Sequence, residues 1–91
     1  MTKREETKEV TIKQPATHFK VSGKRDLLNL AALIADMLDC LILNQPDGSY
    51  LIGDTHLETD GTVHWAKGTK KGLRELIIWE VTSEGFQETT Q

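Results

Sequence analysis

Asp54, His56 and Glu58 alternate along one short stretch, so a strand there would put their side chains on one face. Two carboxylates and an imidazole are the donor types that hold a divalent cation or move a proton. The pattern is thin for either task. Metal sites usually draw ligands from several elements, His64 alternates onto the opposite face, and neither H-E-x-x-H nor a paired C-x-x-C occurs. The plainer reading is the solvated face of a hairpin, with His56 stacked on Trp65. No catalytic residue, metal site or cofactor is assigned, and the chain is read as not an enzyme.

A second group is Lys67, Lys70, Lys71 and Arg74, interleaved with Gly68 and Gly72. Lysines and glycine backbone N–H groups can cradle phosphate. Trp65, just ahead of them, could stack on a base of a single strand. The G-x-x-x-x-G-K-[ST] spacing is absent, and the whole chain carries a net charge of −3. An acidic background weakens polyanion binding. Nucleic-acid binding through Lys67, Lys70, Lys71, Arg74 and Trp65 is the alternative reading, and a solvated loop the plainer one.

Cys40 is the chain's one cysteine, so no intrachain disulfide forms. It falls at an apolar position of a helical run, near the wrong end for a thiol activated by a helix N-terminus. It is read as a buried structural thiol. His18, beside Phe19, is expected to be exposed.

The elements that must position these groups follow from spacing and composition. The chain has 91 residues, 37% of them hydrophobic and 27% charged, which is one ordinary globular domain. Residues 1–8 read as a loose N-terminal arm, 9–82 as the domain, and 83–91 as a flexible tail. Val10 and Ile12, then Phe19 and Val21, alternate as strands. Residues 27–43 are Leu-, Ala-, Ile- and Met-rich without glycine or proline, which predicts one helix, with Ser22 or Asp26 as its N-cap. Asp60-Gly61 between β-prone runs predicts a two-residue type I′ turn that sets Leu57 opposite His64 and His56 opposite Trp65. Gly53 reads as a bulge. Residues 76–82 are β-branched and aromatic and read as a strand. The order is β-β-α-β-β-β, and the fold class is α+β, an antiparallel sheet packed on one central apolar helix.

That helix carries the functional expectation. On a helical wheel Asn29, Asp36 and Asp39 share one narrow sector, and nearly all the rest is apolar. A helix on a sheet needs only an apolar stripe. The surplus has to be covered by a curled sheet, by a second copy, or by another protein. The preferred expectation is a small protein–protein interaction module, a homodimer or a regulator or inhibitor of another protein. The size matches small regulators of phage and mobile-element type. Asp36, Asp39 and Trp65 are the partner-binding candidates. With no apolar leader at the N-terminus, and with Asp36 and Asp39 in the apolar run, the expected location is cytoplasmic with no membrane contact.

Overall fold

The computed structural model describes residues 16–89. In chain order the elements are β1 (Ala16–Phe19), α1 (Lys24–Leu38), β2 (Ile42–Asn44), β3 (Tyr50–Ile52), β4 (Thr55–Leu57), β5 (Thr62–His64), α2 (Lys71–Ser83) and β6 (Glu88–Thr89). The strands make one antiparallel sheet in the order β2-β3-β4-β5-β1-β6. Residues of both helices join the sheet's apolar face in one core, so the domain is α+β. No helix among the described residues is long and apolar enough to cross a membrane. The expected arm and the strand at Val10 and Ile12 lie outside the described residues.

The apolar run of residues 27–43 splits into two elements. Helix α1 stops at Leu38 because Asp39 turns left-handed, with φ 57° and ψ 47°. The Asp39 N–H donates to the Asp36 carbonyl at 3.3 Å, and the Cys40 N–H reaches back to the Ala35 carbonyl at 3.0 Å. That bond pair is a Schellman close, in which aspartate stands where glycine is usual. Leu41 then leads into β2. Aspartate tolerates the left-handed conformation, but at a cost glycine avoids. Asp39→Gly is therefore expected to raise stability by up to about 1 kcal/mol in urea denaturation.

The core takes Leu27, Leu30, Ala31, Ile34 and Ala35 from α1, the spacing of one helical stripe. From the sheet it takes Phe19, Ile52, Leu57, Val63 and the adjoining Trp65. Ile77 and Val81 complete it from α2, with Leu73 and Ile78 partly buried against it. Residues 76–82 are thus helical, not a strand. Leu73, Ile77 and Val81 fall at i, i+4 and i+8, and burying that stripe against α1 outweighs the β-propensity of single residues. This second helix packs against α1 and covers part of its apolar flank, while Leu28 remains 48% exposed. The segment expected to fray after Ser83 instead packs Phe86 on the core and pairs Glu88–Thr89 with β1.

Two loops share one design. Gln45-Pro46-Asp47-Gly48 and Glu58-Thr59-Asp60-Gly61 each close with the glycine N–H donating to the first residue's carbonyl at 3.0 Å. In both the glycine has positive φ, 93° and 95°. This is a type I turn followed by a glycine bulge, a three-residue loop in place of the expected two-residue type I′ turn. The extra residue shifts the β4–β5 register by one, so that Leu57 faces Val63 and His56 faces His64. Gly53 in turn is no bulge. It is the first residue of a two-residue turn, at φ 60°, between the paired Ile52 and Thr55.

Each aspartate locks its loop. Asp47 Oδ1 accepts from the Ser49 N–H at 2.9 Å and from the Ser49 hydroxyl at 2.6 Å, and Asp60 Oδ1 accepts from the Thr62 N–H at 2.9 Å. These bonds, from Ser49 side chain then backbone, and from the Thr62 backbone then side chain, hold both carboxyls below the ordinary aspartate range. A carboxylate depressed by folding stabilises above its unfolded pKa, and that share is lost as pH falls through the folded value. Asp60→Asn is accordingly expected to flatten the acid limb of the stability–pH curve while leaving the alkaline limb unchanged, as read by thermal melts across pH.

Candidate functional site

The sheet has a covered face and an open one. Cross-strand pairing runs a single row over the open face: Leu43, Leu51, His56, His64 and Ala16. His56 and His64 stack there, with ring centroids 5.9 Å apart and 20° between planes. The register shift therefore changes His56's neighbour from Trp65 to His64. His64 Nε2 contacts the Glu58 carboxylate, and His56 Nε2 lies 3.0 Å from the Ser49 hydroxyl. His18 is half-buried, with Nδ1 against the Thr89 hydroxyl. Asp54 sits in the β3–β4 turn, away from this row. Among the described residues, no group of three or more histidines, cysteines or acids is placed to hold a metal ion.

Trp65 belongs to the core. Its side chain is 1% exposed, and its indole N–H donates to the Thr17 hydroxyl at 2.9 Å. It has no face to offer a partner or a base, which corrects its place in both sequence readings. The same register shift is the cause: it turns Trp65 to the helix side of the sheet.

The basic residues do come together. Lys70 is the N-cap of α2, Lys71 opens the helix, and Arg74 lies in its first turn with its guanidinium on the Thr69 carbonyl. Lys71 is 3.9 Å from Glu75 one turn on. Lys67 is exposed in the preceding loop. Cations at a helix N-terminus oppose its dipole. With Trp65 buried, the group is a cluster of charge without an aromatic platform.

The largest departure from an ordinary surface lies elsewhere. Among the described residues, strand β2 is one edge of the sheet, with β3 as its neighbour. Leu41 beside it is 82% exposed and Leu43 within it 53%. Proteins blunt an edge by keeping it short or with lysine, proline or a bulge; β2 is three residues long, and residues 41–44 carry neither lysine nor proline. The opposite edge, β6, is only two polar residues long. A groove of about 480 Å³ lies between the C-terminal half of α1 and the start of β2. Ala32, Ala35, Asp36, Asp39, Leu41 and Ile42 line it.

Asp36 and Asp39 are among the residues that line this groove. Cys40 also lines it and is exposed, which corrects the buried thiol of the sequence reading. The thiol surfaced because the helix ends at Leu38, two residues before it. Leu41 and Leu43 were missed as site residues because they were counted into the helix. Their signal was there: an apolar run ending in strand-competent residues just ahead of an Asx-type turn. No family model, no curated protein and no solved structure matches this chain.

Proposed function

We propose that this protein is a small non-enzymatic interaction module that regulates or inhibits another protein by docking it on the β2 edge and the α1 groove. The observation that carries this reading is the exposure of Leu41 and Leu43 at an edge strand free of lysine and proline, beside a groove lined in part by Ala32, Ala35 and Ile42. Exposed apolar surface of this kind is costly to leave in water and marks interaction sites. A second copy is the other partner this reading accommodates, with Leu76 and Trp79 on the outside of α2 as a further apolar surface. Nucleic-acid binding through Lys67, Lys70, Lys71 and Arg74 is the weaker alternative, since it loses the aromatic contact on which it was built.

The test is a photo-crosslinking amino acid at position 43, used in cells. Crosslinks are expected there and absent at the exposed loop position 59. Equal yields at the two positions would sink the reading. The Leu41→Lys, Leu43→Lys variant is expected to keep its stability within about 0.5 kcal/mol, as exposed positions do. It should lose any association that light scattering or crosslinking detects in the unaltered protein.

A further inference from the structure

The backbone of the β2 edge specifies what kind of chain it can receive. The Gln45 N–H donates to the Ser49 carbonyl at 3.0 Å, which makes Gln45 and Ser49 a hydrogen-bonded pair of the β2–β3 hairpin. Such pairs alternate with non-bonded ones along an antiparallel ladder. Leu43 and Leu51 are therefore the next bonded pair. Ile42 and Asn44 are left with their N–H and C=O groups directed away from β3, at the edge of the sheet, where the Gln45 side-chain amide donates to the Asn44 carbonyl at 3.5 Å. An added strand would complete these bonds, which is how sheet edges capture extended peptides.

The side chains around the edge narrow the choice. Ala32, Ala35, Leu41 and Ile42 form the apolar part of the groove with Cys40 beside them, and Asp36 and Asp39 supply its charge. Among the described residues, no lysine or arginine lines it. On the open face Leu43 continues the row that begins at Leu51. A second copy is a poor occupant. Antiparallel pairing of two β2 edges about a twofold axis sets both α1 helices on the same face, side by side. Asp36 and Asp39 would then approach their own duplicates, and like charges brought together are unfavourable.

We infer that the β2 edge receives a foreign segment in extended conformation, in which a lysine or arginine stands two residues from an apolar side chain. Those two side chains share a face, because side chains alternate along a strand. The apolar one enters the groove against Ala32 and Ile42, and the cation meets Asp36 and Asp39. The residue between them turns to the other face. The segment's backbone bonds to Ile42 and Asn44. This inference rests on the interaction-module reading and names the partner chemistry for that surface.

A random dodecapeptide library displayed on phage, panned against the full chain, tests it. The enriched peptides are expected to carry the basic-x-apolar pattern without proline at the pairing positions. As synthetic peptides they should protect the Ile42 and Asn44 amides from hydrogen exchange. Their affinity should fall at least tenfold for the Asp36→Asn, Asp39→Asn variant, and should fall with added salt. Asparagine also tolerates the left-handed conformation, so the fold should survive, and a circular-dichroism melt checks that it does. No enrichment, enrichment of acidic or uncharged peptides, or undiminished binding to the variant would each overturn the inference. So would protection of Ile42 and Asn44 in the peptide-free protein together with a dimer in light scattering, which would give the edge to a second copy. Peptides that bind at Leu76 and Trp79 would overturn the edge assignment and leave the interaction module standing. Only a failed crosslink at position 43 reaches the broader reading.

Discussion

Gly61→Ala is expected to lower stability by about 2–4 kcal/mol, the sum of left-handed backbone strain and a displaced strand bond. Gly61 has φ 95°, and a Cβ built there would lie 2.0 Å from the Phe19 carbonyl oxygen. The Phe19 N–H donates to the Gly61 carbonyl at 3.0 Å, so the two backbones are tied at the point of collision. Neither side can yield cheaply. Phe19 is fully buried, and β1 lies between β5 and β6. Gly68→Ala is the control. Gly68 also has positive φ, 90°, but a Cβ there meets nothing within 4 Å. It should show the backbone strain alone, about 1–2 kcal/mol. Urea denaturation of the two variants then separates strain from collision, and equal losses would refute the close approach.

Trp65→Ala should cost about 3–5 kcal/mol, the range for emptying a buried aromatic site. Trp65 is the largest fully buried side chain of the described residues and joins β5 to β1 through its bond to Thr17. Trp65→Phe refills most of the volume but leaves the buried Thr17 hydroxyl without its donor. That orphan is worth about 1–3 kcal/mol. Thr17→Val in the Trp65→Phe background should recover part of the loss, whereas Thr17→Val alone strands the indole N–H. A double-mutant cycle is expected to give a coupling of about 1 kcal/mol. A coupling near zero would mean that the indole–hydroxyl bond contributes nothing to stability.

The α+β class and antiparallel sheet were legible in the sequence because they follow from local signals. Alternation around residues 55–57 and 62–64, and the helical composition from Leu27 onward, are properties of short windows. The outward stripe of Asn29 and Asp36 was readable for the same reason, and the structure leaves both exposed. The pairing of His56 was not readable. It depends on whether Asp60-Gly61 closes a loop of two residues or three, and both loops accept that dipeptide. A one-residue difference moves a side chain through the sheet, so Trp65 and His64 exchanged faces on a choice the local sequence leaves open.

Composition and helical spacing alone put an apolar stretch at the centre of the domain and acidic side chains on its outer face. Where that stretch ends and what covers it depend on long-range contacts. A continuous apolar run has no period to divide it, so the break at Asp39 came from the Schellman close and from the pairing of β2 with β3. The cover came from α2, whose β-branched residues become helical once Ile77 and Val81 are buried against α1. The apolar surplus credited to one helix is thereby divided between two buried helical stripes and the edge strand that leaves Leu41 and Leu43 in water. Burial is a property of neighbours distant in sequence, and no short window contains it.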